Sequence, residues 1–167
     1  DAIVLKSTYG MVQDRKDMAV QELHKRYDIT QGCSNITVTN CILSTTCNAF
    51  KIGTETLGDF ENITFSNSVI YSYTEPYCKS GLDIATVDGA NLRGLTISNI
   101  IMKDVQVPFF LRRGARLRDQ IHSEPGVMED ISISNVIATG AKKTSHISGI
   151  PGYDIDKVTL SDIKITT

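Results

Sequence analysis

Apolar and hydroxyl-bearing residues alternate along this chain in short bursts, and the bursts repeat. Asn35-Ile-Thr-Val-Thr-Asn40 is followed by Asn62-Ile-Thr-Phe-Ser-Asn67, Gly94-Leu-Thr-Ile-Ser-Asn99, Asp130-Ile-Ser-Ile-Ser-Asn135 and Lys157-Val-Thr-Leu-Ser-Asp162. The closing Asn or Asp positions stand 27, 32, 36 and 27 residues apart. A period of two is the signature of a strand with one buried face, so each copy predicts a strand with its aliphatic pair turned inward. A second series lies between these copies: Ala2-Ile-Val-Leu-Lys6, Ala49-Phe-Lys-Ile-Gly53, Gly81-Leu-Asp-Ile-Ala85, Pro108-Phe-Phe-Leu-Arg112 and, more loosely, Ser145-His-Ile-Ser-Gly-Ile150.

Two or three short strands per unit of roughly 27 to 39 residues, with no helical crossover between them, predict a parallel β-helix solenoid. An antiparallel sandwich would need tight Gly-rich hairpins every 8 to 12 residues or so, and the chain has none. The recurrent Asn fits coil corners, because it tolerates left-handed backbone and its amide can bond to its equivalent on the next coil. Alternation sends Ile3, Leu5, Phe50, Ile52, Leu82, Ile84, Ile97, Phe109, Leu111 and Ile133 inward. It sends Val4, Lys51, Asp83 and Phe110 outward in one column, and Lys6, Gly53, Ala85 and Arg112 in the next. The rhythm breaks between Tyr9 and Gly32, where Asp17 to Arg26 is rich in helix formers and predicts a short helix or an ordered lid.

Composition narrows the picture. A length of 167 residues suits a single domain, here 1–167, and 41 % apolar residues suffice for a core. No apolar run approaches the roughly 18 residues of a membrane-spanning helix. A net charge of −2 argues against a nucleic-acid partner gripped through its phosphates. Four cysteines without a CxxC pair and three histidines argue against a structural zinc, so no metal or cofactor is expected and the cysteines read as unpaired. Asp1 runs straight into an apolar strand with no initiator Met, which reads as a portion of a longer chain.

The phrases "DAIVLKS", "NITVTNC", "CNAFKIGTE", "ENITFSN" and "DGANLRGLTISNIIMKDVQVPFFLRRGAR" resemble the second half of glycoside hydrolase family 28, the polygalacturonase family. The resemblance implies an all-β, right-handed parallel β-helix of the pectin lyase-like superfamily. It also implies a monomeric, secreted or periplasmic glycosidase acting on an anionic polysaccharide such as pectin. Family catalysis is inverting hydrolysis by paired aspartates, which requires carboxyl groups about 6.5 to 9.5 Å apart. Asp1 falls on the second Asp of the family's Asp-Asp motif and is the catalytic candidate. Asn48 stands where the family has its Gly-His-Gly histidine, and Asp83-Ile84-Ala85 stands in place of Arg-Ile-Lys. These departures keep an alternative open: a non-catalytic carbohydrate-binding or structural module. A polysaccharide lyase would share the fold.

Lys51, Arg112 and Lys6 occupy outward columns and are the candidate cations for a uronate carboxylate, with the guanidinium able to grip it bidentately. They read alternatively as ordinary solvated charges on a sheet face, Lys6 more so than the other two. They are expected on the same face as Asp1 and within about three coils, or roughly 15 Å. Glu55, at a strand exit, reads either as a hydrogen-bonding partner for sugar hydroxyls or as a salt-bridge partner of Lys51 or Lys6. Tyr71, Tyr73 and Tyr77 crowd one turn, where they would stack on sugars or pack locally. Asp88-Gly89 reads as a structural turn, and His24, His122 and His146 match no family histidine. Arg112, Arg113 and Arg116 cluster near a strand end, with Asp119 and Glu124 as expected partners.

Overall fold

The computed structural model describes residues 1–8, 31–118 and 121–167, together with Ala19 and Glu22. The helix expected over Asp17 to Arg26 falls almost wholly outside the described residues, as do His24 and Asp119. Among the described residues eleven strands are present: β1 (Ile3–Ser7), β2 (Cys33–Thr39), β3 (Ile42–Leu43), β4 (Asn48–Thr56), β5 (Phe60–Tyr71), β6 (Ser80–Thr86), β7 (Leu92–Lys103), β8 (Val107–Arg113), β9 (Met128–Thr139), β10 (His146–Ser148) and β11 (Asp156–Ile165). Among the described residues no helix is long and apolar enough to cross a membrane.

The strands form two sheets, and every pairing between them is parallel. One sheet runs β1-β4-β6-β8-β10 and the other β11-β9-β7-β5-β2, with β3 also paired to β5. Apart from β2 and β3, which both pair with β5, successive strands of the chain alternate between the sheets, which is the path of a parallel β-helix. Each coil brings the next copy of the phrase into register on the last: Ile63 pairs with Leu95 and Leu95 with Ile131, while Phe65 pairs with Ile97 and Ile97 with Ile133. The repeats seen in sequence are therefore layers in space. The phrase and the apolar residues after it merge into single strands of 12 residues in β5, β7 and β9.

Corners are made where the backbone turns left-handed. Asn40, Asn67, Asn99, Asn135 and Asp162, the closing residues of the five phrases, have φ between 50° and 58°. The opening residues Asn35, Asn62, Asp130 and Lys157 do the same, with Gly94 completing the column. Asn carries this conformation at lower cost than other L residues because its short amide bonds locally. The amides then link coil to coil: Asn99 donates to Asn67 at 2.9 Å, Asn135 to Asn99 at 2.8 Å and Asn62 to Asn35 at 3.2 Å. The closing column forms a ladder and the opening column a further rung, and both are exposed rather than interior.

Inward side chains of the two sheets meet in one core. Phe50 of the first sheet stacks flat on Phe65 of the second, with ring centroids 4.4 Å apart and planes within 8°. Phe50, Ile52, Leu82, Ile84, Ile97, Phe109, Leu111 and Ile133 are all buried, as the alternation predicts. Ile3 and Leu5 face the same core but stay half-buried, because β1 is an outermost strand of its sheet. The four cysteines are free thiols. Burial pushes the Cys78 thiol up to about 11, with the nearby Cys47 adding to the rise, so it stays protonated and inert.

Candidate functional site

The outer face of the five-stranded sheet carries the outward columns. The register aligns Val4, Lys51, Asp83, Phe110 and His146 in one row across the strands. Two residues further along, Ala85, Arg112 and Ser148 align in the next. Gly53 faces Ala85 there. Its φ of +96° and a space that would set a Cβ 2.1 Å from the Ala85 carbonyl oxygen leave no room for a side chain.

Lys51 is not a free cation. Its ammonium lies 2.6 Å from Asp83 Oδ2, and both side chains are largely shielded, at 13 % and 9 % exposed. The Asp that stands where the resemblance implies an Arg thus neutralises the Lys one coil earlier. Lys6 is also engaged, 2.9 Å from Glu55 Oε2, and Arg118 reaches Glu55 Oε1 at 3.4 Å. Burial by itself would raise the Glu55 carboxyl. The hydrogen bond and charge of Lys6, a backbone hydrogen bond and the charge of Arg118 outweigh it and bring the value down to about 2. Two cations around one carboxylate leave this corner of the face with a positive surplus.

Arg112 differs from these. It is exposed and has no hydrogen-bond or ion-pair partner among the described residues. Phe110, two residues before it on the same face, stacks on His146 of the adjacent strand at 5.5 Å with planes 20° apart. His146 Nε2 lies 2.8 Å from Ser148 Oγ, and Ser148 is level with Arg112. An aromatic pair, an arginine and a hydroxyl therefore stand on one face of the sheet, with the guanidinium reaching onward to Gly114.

Asp1 lies at the other end of this sheet. Its Oδ1 accepts from Asn48 Nδ2 at 2.9 Å and from the Asn48 backbone N–H at 3.3 Å. It precedes β1 in phase with inward-facing Ile3, so it sits at the N-terminal edge of the sheet rather than in an outward column. Arg112 is three strands across and about five residues along, which separates the two backbones by about 20 Å, more than the coil count alone suggests. Asp83 stands about 14 Å from Asp1 by the same spacing, beyond the span of an inverting carboxylate pair. Among the described residues no three His, Cys, Asp or Glu side chains gather as ligands for a metal ion.

A loop after β8 walls the C-terminal edge of the sheet. Its anchor is Asp88, which is fully buried. Arg116 Nε donates to Asp88 Oδ1 at 2.7 Å and Arg116 Nη2 to Oδ2, while the backbone N–H groups of Arg118 and Thr56 donate at 3.1 and 3.3 Å. Burial raises this carboxyl, but those four donors and the guanidinium charge more than offset it, and the net shift is downward. Arg116 also holds the Thr54 carbonyl at 2.7 Å. His122 Nε2 donates to the Leu57 carbonyl at 2.7 Å, and Gly89 (φ +105°) lies so close that a Cβ would fall 2.3 Å from that histidine. Arg113, in contrast, points back to the Asp154 carbonyl and over the Tyr153 ring at 5.3 Å.

Alternation alone had already aligned Lys51 with Asp83 and Phe110. It could not find Arg118 or the Arg116–Asp88 anchor, whose partners meet through a loop with no periodicity. Comparison of the chain with protein-family models, curated proteins and solved structures finds no match.

Proposed function

We propose that this protein is a carbohydrate-active β-helix of the polygalacturonase type that engages a uronate-containing polysaccharide on the outer face of its five-stranded sheet. One observation carries the reading: Arg112, exposed and without a partner among the described residues, stands on the same sheet face as the Phe110–His146 pair. A sugar ring presents an apolar face to an aromatic, and a uronate adds a planar carboxylate that suits a guanidinium. The positive surplus around Glu55 favours an anionic chain in spite of the net negative charge of the whole molecule. Asp1 is the carboxylate assigned to acid or base work in hydrolysis.

A second reading, a binding module without hydrolysis, is favoured by the Lys51–Asp83 pair and by Asn48. Both positions differ from the catalytic pattern of the family that the chain resembles. Incubation with polygalacturonate separates the readings. Release of reducing ends without an ultraviolet-absorbing unsaturated product supports the hydrolase. That absorbance marks a lyase, and retention of the polymer with neither product marks the module. A protein that neither retains nor cleaves polygalacturonate overturns the proposal.

A further inference from the structure

The turns that lead into the strands of the five-stranded sheet form a second surface that the outward columns do not include. Four turns stack there, one per coil: Ser44 to Cys47, Ser72 to Lys79, Asp104 to Gln106 and Gly140 to Ser145. They enclose two neighbouring clefts that share Pro76. One, of about 590 Å³, is lined by Glu75, Pro76, Tyr77, Gln106 and Lys142. The other, of about 300 Å³, is lined mainly by Ser44, Thr45, Thr46, Tyr73 and Thr74. Both lie within the size range of ligand pockets.

The chemistry of these clefts is distinctive. Tyr73 is 83 % exposed and meets the edge of Tyr71 at 4.6 Å. The Lys142 ammonium lies 5.0 Å above the Tyr77 ring and 3.6 Å from Asp104 Oδ1. Gln106 Nε2 donates to the Tyr77 carbonyl at 3.3 Å and so steadies that ring's backbone. Lys79, Lys103, Lys142 and Lys143 are all exposed in or beside these turns, against two carboxylates, Glu75 and Asp104. A chain with a net charge of −2 therefore concentrates positive charge and exposed tyrosine here.

We infer that this tyrosine- and lysine-lined rim is a binding site for an acidic polysaccharide, extending the contact surface beyond the sheet face. The inference rests on the reading given under Proposed function. A uronate chain suits the rim: ring faces for Tyr73 and Tyr77, carboxylates for the lysines, and hydroxyls for the Ser/Thr wall and for the carboxylates of Glu75 and Asp104. A nucleic-acid strand matches less well, because its phosphates offer nothing to Glu75 and Asp104 and the rim has no arginine. The stacked turns span three strand spacings, about 14 Å along the solenoid axis. They border the edge at which Asp1 hydrogen-bonds Asn48, so a chain lying on the rim passes that carboxylate.

Calorimetric titration of the whole protein with a defined oligogalacturonate tests the inference, using Tyr73→Ala, Lys142→Gln and Arg112→Ala, with unchanged melting temperatures as the control for folding. Tyr73→Ala and Lys142→Gln should each weaken binding about threefold to tenfold. With the fully methyl-esterified oligosaccharide the Lys142→Gln effect should vanish and the Tyr73→Ala effect should persist. If both rim variants bind within about twofold of the parent while Arg112→Ala weakens, the rim inference fails and the sheet-face reading stands. If the parent protein does not bind oligogalacturonate, both fail. Tighter, Tyr73-dependent binding of an oligothymidylate overturns the assignment of a uronate ligand.

Discussion

Replacing Asp88 with alanine should cost this protein about 4 kcal/mol of stability. Its carboxylate is fully buried and accepts from both sides of the Arg116 guanidinium and from the backbone N–H groups of Thr56 and Arg118. Losing a hydrogen bond to a charged group costs about 1.5 to 3 kcal/mol, and each backbone donor left unpaired costs about 1 to 3. The costs overlap, because relaxation around one orphan group relieves the others, so they do not sum. At about 2 to 4 °C per kcal/mol for a chain of this size, the melting temperature should fall by about 8 to 16 °C. Urea denaturation followed by circular dichroism gives the free energy directly. The double variant Asp88→Ala, Arg116→Ala should lose clearly less than the sum of its single variants, because both single changes remove the same ion pair. The pH dependence has a definite sign. Because the folded carboxyl is held below its unfolded value, near 3.9, its contribution is complete above that value and is lost as pH falls through the folded one. The alanine variant should therefore show a shallower acid limb. A loss below about 1 kcal/mol, or simple additivity with Arg116→Ala, would refute the reasoning.

Three further outcomes follow from the same structure. Phe65→Ala removes one ring of the flat stack that joins the two sheets, and should cost about 3 to 5 kcal/mol in the same denaturation assay. Asn99→Ala breaks two rungs of the exposed ladder at a left-handed corner and should cost about 2 kcal/mol, whereas Asn99→Gly, which keeps the backbone at ease, should cost about half of that. Glu55→Gln should leave stability unchanged near pH 2 and lower it by about 2 kcal/mol at neutral pH. Glu55 is held at about 2, so its stabilising effect is full above its ordinary value of 4.5 and fades as pH approaches 2. Chemical-shift titration of its carboxyl carbon checks the value itself.

The parts of the fold that were readable in advance are those set by local geometry. Side chains alternate on a strand whatever it pairs with, so the inward series Phe50, Leu82 and Phe109 and the outward series Lys51, Asp83 and Phe110 followed from the chain alone. The left-handed Asn corners followed for the same reason, since φ belongs to the residue. Even the Lys51–Asp83 pair was implicit, because both stand in one column on adjacent coils. What could not be read was anything joined through a turn. Arg118 reaches Glu55 across 63 residues, and Lys142 reaches Tyr77 from a turn two coils away. No period connects such positions, and only closure of the loops brings them together. Asp1 and Arg112 stand farther apart than the number of coils between them implies, because they are also displaced along the strands.

The most direct test of the account is a crystal structure of the protein with a defined oligogalacturonate bound. The account predicts sugar density on the outer face of the β1-β4-β6-β8-β10 sheet, with one carboxylate paired to the Arg112 guanidinium and one ring packed on Phe110. Density on the outer face of the six-stranded sheet, or a bound chain that leaves Arg112 untouched, would contradict it.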